Sequence, residues 1–319
     1  MTLSYVFYRR CELKFTFNTL ILIYLLTSII LGNSPNDKSK GGDSECNNAI
    51  ADGYRIIVQD SITREYILYV PHSYDGDMPT PLVINFHGFG DCAAQYAKLM
   101  GEFYKFNSLA DQNKFLVAYP QAIMREKEDV YWDPGDDGSE SINNDVYFTE
   151  QLIYDINSEY KVDLSRVYAV GYSNGGMMAY GLACSRGDLI AAIGIMSGIM
   201  LKSECDENEY TSIIHFHGAA DDVLPLEGNQ EFPSVFDVVN FWLNHNNIPA
   251  SSLVTKELNG GDVVRYEYSG GNKNTSFVLY IIKREYKKPG GHVWFSDDIN
   301  GVNPNQILWN FLSRYSLDD

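Results

Sequence analysis

Between residues 54 and 315 the hydrophobic positions switch repeatedly between continuous runs and helical spacing, and the switches mark the elements. "YRIIVQD" and "REYILYVP" are rich in β-branched and aromatic residues and are separated by a short polar turn, which predicts a hairpin. "PLVINFHG", "FLVAYP", "RVYAVGYS", "AAIGIMSG" and "SIIHFHG" are short and almost wholly apolar. Runs of that kind belong to strands covered on both faces, as in a parallel sheet. Helical spacing lies between them: residues 92 to about 112, residues 145 to 160 with Val146, Phe148, Leu152, Ile153 and Ile156 on one side, "NGGMMAYGLAC", and residues from about 234 to 245. A strand pair follows, "DVVRYEY" and "TSFVLYIIKRE", then a last helix from about 304 to 315. Repeated strand–helix units predict an α/β domain over residues 54–319, an open and mostly parallel sheet with helices on both faces. Residues 123–145, "IMREKEDVYWDPGDDGSESINND", form a long polar insertion placed where it can cover a site. Its carboxylates lack EF-hand spacing, so no metal is predicted there.

The first 45 residues follow another pattern. Arg9, Arg10 and Lys14 precede the apolar run "FTFNTLILIYLLTSIIL", a charged segment followed by a hydrophobic one. At about 17 residues the run is near the lower limit for spanning a bilayer. Residues 1–32 are therefore expected to be a signal peptide or a signal anchor. Residues 33–53, polar with Gly, Ser and Pro, are expected to be a flexible linker. In either case the domain is expected outside the cytosol, secreted or held at the cell surface, with membrane contact only through an uncleaved N-terminal segment.

Charge and cysteine usage sharpen this picture. The 319-residue chain carries a formal net charge of -18, which leaves no basic excess to bind a phosphate backbone and excludes nucleic acid as the expected partner. Beyond Cys11 in the leader there are Cys46, Cys92, Cys184 and Cys205, an even number in a chain that reads as exported, so two disulfides are expected. Four cysteines allow three pairings; the favoured one is Cys184–Cys205, which closes a short local loop, leaving Cys46–Cys92. Asn274-Thr275-Ser276 is a glycan acceptor sequence if the host glycosylates.

The chemistry centres on "VYAVGYSNGGMMAYGLAC". A strand enters Gly171-Tyr172-Ser173-Asn174-Gly175 and a helix of small residues leaves it, which is the context of a nucleophile elbow. The bland alternative is that Ser173 caps the helix. A serine hydroxyl needs a base, and the base needs an orienting carboxylate; in this type of sheet the chain order is Ser, then Asp or Glu, then His. Of the four histidines after Ser173, His215 and His217 sit in a buried strand and His245 at a helix end, whereas His292 lies in "KKPGGHVWF", a loop after the last strand. His292 is the expected general base. The carboxylate should follow "SIIHFHG", where "HGAADDVLP" offers Asp221 and Asp222; Asp221 is chosen. The oxyanion hole should combine the backbone N–H of Asn174 with that of Phe89 in "FHGFGDC". His87 reads as a loop-stabilising residue. Trp132, Tyr172 and Trp294, with Phe89, are expected to offer rings to a substrate.

Five pieces, "PLVINFHGFG", "NNDVYF", "VDLSRVYAVGYSNGGMMAYGLAC", "HGAADDVLP" and "GGHVWF", occur together and in order. With them the chain resembles the secreted α/β-hydrolase esterases known as poly(3-hydroxybutyrate) depolymerases and feruloyl esterases, of the carbohydrate-esterase family 1 type. The resemblance places Ser173, Asp221 and His292 on the family's triad and favours Asp221 over Asp222, which falls where a proline is common. It implies an α/β-hydrolase fold and a secreted serine carboxylic-ester hydrolase that works through an acyl-enzyme with no cofactor. The implied substrate is an ester, polysaccharide-linked or polyester. The chain departs from the family at Ala219-Ala220 before Asp221, at Leu226 and at Tyr147. The competing class is a catalytically silent binding module on the same fold.

Overall fold

A computed structural model describes residues 46, 48–125, 129–135, 138–202, 204–207, 209–283 and 291–318. The expected signal peptide or anchor, residues 1–32, and the linker as far as residue 45 lie outside the described residues, as do the first residues of the "KKPGG" approach to His292. The predicted hairpin is β1 (Tyr54–Gln59) and β2 (Ile62–Tyr69), paired antiparallel from Tyr54↔Ile67 to Gln59↔Ile62. The two residues between them, Asp60 and Ser61, have φ of 51° and 66°, the turn geometry whose twist suits a hairpin.

After the hairpin come β3 (Thr80–Phe86), α1 (Ala93–Glu102), α2 (Phe106–Asn113), β4 (Leu116–Pro120), α3 (Asp145–Glu159), β5 (Val162–Tyr172), α4 (Asn174–Ser185), β6 (Ala192–Met196), β7 (Ser212–Gly218), α5 (Val235–His245), β8 (Val254–Leu258), β9 (Val263–Ser269), β10 (Ser276–Ile282) and α6 (Pro304–Leu312). They build one sheet in the order β1-β2-β4-β3-β5-β6-β7-β10-β9-β8. From β4 to β10 in that order neighbours run parallel; β1, β2, β9 and β8 add antiparallel edges. Every residue of β4, β6, β7 and β10 is buried, which is why those segments read as unbroken apolar runs. In open sheets of this kind the site lies beyond the carboxyl ends of the parallel strands.

Two elements differ from the sequence expectation. The helix expected over residues 92–112 is two, because Lys105 takes a left-handed φ of 58° and turns Phe106 into the core. β8 was not anticipated: four of its five residues are exposed, so no hydrophobic pattern announces it. The linker expected to run to residue 53 is anchored where it is described. Asn48 is buried, its Oδ1 accepts the Ala94 N–H at 2.9 Å, and its Nδ2 donates to Glu65 at 2.7 Å. Cys46 is bonded to Cys92 at the start of α1, with Cα atoms 5.4 Å apart. Cys184 of α4 is bonded to Cys205 across 4.5 Å. Such bonds typically stabilise by about 2–4 kcal/mol each, by restricting the unfolded chain.

Candidate active site

Ser173 sits at the junction of β5 and α4 with φ 53° and ψ -118°, a conformation that L-residues rarely hold. The flanking glycines explain how the chain reaches it. A Cβ on Gly171 would stand 2.1 Å from the carbonyl carbon of Gly175, and one on Gly175 would stand 2.1 Å from the Phe86 carbonyl oxygen at the end of β3. Any side chain at either position would force the turn open. The Ser173 N–H donates to Met196 O at 3.0 Å, so the end of β6 holds the turn from the side. The Ser173 side chain makes no cap bond to α4.

Instead its Oγ lies 2.9 Å from Nε2 of His292, whose Nδ1 lies 2.9 Å from Oδ2 of Asp221. A proton on Nδ1, donated to the carboxylate, leaves Nε2 free to accept from the serine hydroxyl. The three residues are between 5% and 7% exposed, buried but reachable. Asp221 is fixed from its other oxygen: Oδ1 accepts the N–H groups of Val223 and Leu224 at 2.9 and 2.8 Å. Asp222, its neighbour, is exposed. Behind Asp221, His217 Nε2 donates to Leu224 O at 2.8 Å and lies 3.7 Å from Asp221 Oδ2. His217 Nδ1 is 3.2 Å from His215 Nε2, and His215 Nδ1 is 2.9 Å from the Tyr180 hydroxyl. Burial holds both histidines below the ordinary imidazole pKa, so they add no charge behind the carboxylate at neutral pH.

The loop after β3 lies beside this line. Burial lowers His87 to about 4. As a neutral ring it donates from Nδ1 to Gly88 O at 2.7 Å and accepts the Ala122 N–H on Nε2 at 3.1 Å. It is a loop brace, and it sits too deep to meet a substrate. Among the described residues neither the Phe89 N–H nor the Asn174 N–H has a hydrogen-bond acceptor. Two unsatisfied donors on the two segments flanking Ser173 suit a developing oxyanion.

The polar insertion supplies a brace that the sequence pattern did not reveal. The Asn174 side chain brackets Trp132, accepting its N–H at 2.7 Å and donating to its O at 3.1 Å. Gly90 N–H donates to Val130 O at 2.8 Å. The strand of chain from 130 to 132 thus ties the Phe89 loop to the residue after Ser173. It is held in turn by Asp145, whose side chain is fully buried. Asp145 pairs with Arg64 at 2.7 Å and Arg125 at 2.6 Å and accepts the Asp133 N–H at 2.8 Å.

Two of the rings expected at the substrate are not available to it. Trp132 is 1% exposed, packed edge-on against Phe86, with its indole N–H on His87 O at 3.0 Å. Trp294 is 4% exposed and packs on Tyr104 and Phe106, with its N–H on Asn305 at 2.9 Å. Nearness in sequence to a site residue says nothing about which way an indole points, and both point into the core. Tyr172 is half-buried; its ring packs on His292 at 5.3 Å and its hydroxyl donates to His292 O at 2.9 Å. Phe89, also half-buried, stacks on Tyr131 at 5.8 Å, a partner the sequence did not mark.

Comparison with known proteins adds the following. The family model described as esterase PHB depolymerase matches residues 64–224, which takes in Ser173 and Asp221 and ends before His292. The chain is 26% identical over 300 residues to the probable feruloyl esterase C of Aspergillus terreus, covering 92% of this chain and 98% of that one. It is 27% identical over 222 residues to feruloyl esterase C of Emericella nidulans, covering 68% and 74%. Among solved structures, acetyl xylan esterase from Aspergillus awamori matches with a TM-score of 0.51 at 16% identity, over 68% of this chain and 87% of that one. With the sheet order above, this makes the architecture an α/β-hydrolase fold.

Proposed function

The chain belongs to the esterase PHB depolymerase family and is a carboxylic-ester hydrolase, and from that premise we propose that it is secreted and works through Ser173, His292 and Asp221. The observation that carries the proposal is the continuous line from Asp221 Oδ2 through the His292 ring to Ser173 Oγ, 2.9 Å at each step. In this reading the Ser173 oxygen attacks the ester carbonyl carbon while His292 Nε2 takes its proton. The same nitrogen then gives that proton to the departing alcohol, leaving an acyl-enzyme. Water, deprotonated by His292, releases the acid and restores the serine. Asp221 keeps the ring in the tautomer that presents Nε2 and stabilises the imidazolium formed on the way. The N–H groups of Phe89 and Asn174 receive the oxyanion, each contributing about 3 kcal/mol to the barrier reduction.

The substrate we propose is a hydroxycinnamoyl ester, feruloyl above all, carried on plant polysaccharide. Similarity over 92% of the chain to a protein named probable feruloyl esterase C, and over 68% of it to one named feruloyl esterase C, supports this choice. Of the four rings expected from the sequence, Phe89 and Tyr172 are half-buried and remain open to an aromatic acyl group. Secretion is supported by the apolar leader and by the two disulfides. The test expresses the full chain in a secreting host and compares hydrolysis of methyl ferulate with that of a soluble 3-hydroxybutyrate oligomer, beside Ser173→Ala. Ferulate release from the culture medium, abolished by the substitution, is the expected result. Oligomer cleavage in its place would move the substrate to polyesters. No turnover of either, nor of short nitrophenyl esters, would leave a binding module on a hydrolase fold.

A further inference from the structure

Among the described residues His292 lies in no strand or helix, so its placement beside Ser173 has to come from its contacts. Contacts of Gly291 and Val293, the neighbours of His292, meet at one side chain. The Ser197 hydroxyl, one residue past the end of β6, lies 2.9 Å from Val293 O and 3.2 Å from Gly291 O, and it accepts the Val293 N–H at 3.3 Å. The hydroxyl has one proton, to give to Val293 O or Gly291 O or to share between them, and with the Val293 N–H it accepts, a single oxygen meets the backbone on both sides of His292. Ser197 is wholly buried and has φ 50°, a left-handed conformation that a serine holds only under constraint. Its own N–H donates to Phe216 O of β7 at 2.9 Å, which locks it to the sheet.

The same end of β6 also holds the nucleophile. Met196 O accepts the Ser173 N–H, and a Cβ on Gly198 would stand 3.0 Å from Gly176 Cα and 3.1 Å from Ser173 O. Residues 196–198 thus touch the elbow with Met196 and Gly198 and the base loop with Ser197. They tie the two together beside the direct bond from the Tyr172 hydroxyl to His292 O.

We propose that Ser197 is a positioning residue for the ester hydrolysis: its buried hydroxyl clamps the backbone on both sides of His292 and so holds the imidazole in line with Ser173. The inference rests on the reading of His292 as the general base. Ser197 touches no substrate and gives no proton to the reaction. Its effect is on the geometry of the proton transfer, so it bears on the turnover step and leaves substrate binding alone.

The experiment compares wild type with Ser197→Ala and Ser197→Gly. Both lose the hydroxyl, and the glycine accepts the left-handed φ without strain, which guards against a variant that fails to fold. Turnover is normalised to the serine titrated by a fluorophosphonate. The low-field proton resonance of His292 Nδ1–H is followed by NMR in the same preparations. We expect kcat per titrated site to fall about 10- to 100-fold in both variants with KM within about twofold, the size of loss a small misalignment of reacting groups produces. The His292 resonance should broaden or shift. Wild-type kcat per site together with an unchanged resonance in both variants overturns the proposal. If instead wild type neither hydrolyses esters nor takes up the fluorophosphonate, it is the ester-hydrolase reading of the triad that fails. The resonance still decides about Ser197 then: altered in the variants, the clamp stands; unaltered, it falls.

Discussion

Asp145 and Asp221 are both wholly buried at the side chain, and both accept hydrogen bonds on each oxygen, yet they serve opposite ends. Asp145 faces two guanidinium groups, Arg64 and Arg125, and one backbone N–H. Arginine keeps its proton under all ordinary conditions, so that cluster has nothing to transfer and can only hold. It holds the insertion against the Phe89 loop and Asn174. Burial draws the Arg64 pKa down and the Asp145 carboxylate works against it, the signature of a charge tolerated in the interior because of its partner. Asp221 faces two backbone N–H groups on one oxygen and the His292 imidazole on the other. In the proposed mechanism its partner gains a proton, and the fixed carboxylate stabilises the cation. On that proposal the same residue type under the same burial becomes a rivet or a reagent according to whether its partner can change charge.

The largest way to break that contrast is Asp221→Asn. It should lower kcat by about 10⁴-fold, since the amide favours the wrong tautomer of His292, while the thermal midpoint moves little. A stopped assay with matched melting curves checks both halves; a variant that keeps activity would remove Asp221 from the chemistry. Next in size is Asp145→Asn. It leaves Arg64 buried without a counter-charge and should cost about 3–5 kcal/mol of stability, read by denaturant unfolding. Activity per folded molecule should fall far less than in Asp221→Asn. Equal losses in the two variants would erase the distinction between the two carboxylates.

A third test uses pH. His87, His215 and His217 are held below the ordinary imidazole value by burial, His87 down to about 4. The unfolded chain protonates near 6.5, so it takes up protons that the fold refuses. Stability contributed by these groups is complete above about pH 6.5 and is lost as pH falls from there toward 4, at up to about 1.4 kcal/mol per pH unit for each histidine. Unfolding followed at pH 7.5, 6 and 5 should show this slope, and His87→Asn should flatten it; a flat profile in wild type would contradict the buried neutral state. The smallest expected effect comes from Trp294→Phe, which removes the bond to Asn305. It should cost on the order of 1 kcal/mol of stability and leave KM for an aromatic ester unchanged. A raised KM would return Trp294 to the substrate.

The parallel strands were legible because a strand buried on both faces has no polar position to hide it, as in "SIIHFHG" and "AAIGIMSG". The elbow was legible because only glycine fits at positions 171 and 175, and the serine between them is then marked. Asp221 could be separated from Asp222 by resemblance alone; in the fold one is buried on His292 and the other faces solvent. What could not be read depends on contacts far apart in the chain. Asp145 looks like an ordinary acid in the first turn of a helix, although its partners are at positions 64 and 125. Ser197 follows a strand and precedes a glycine, with no pattern to show that it meets residues 291 and 293. β8 is exposed and charged, and the break between α1 and α2 turns on the backbone of Lys105.

The most direct test of the account is to label the protein with a fluorophosphonate, map the adduct by mass spectrometry, and measure the labelling rate in wild type, Ser173→Ala and Asp221→Asn. The account predicts a single adduct on Ser173, none in Ser173→Ala, and labelling slowed by orders of magnitude in Asp221→Asn. An adduct on another serine, or a rate indifferent to Asp221, would contradict it.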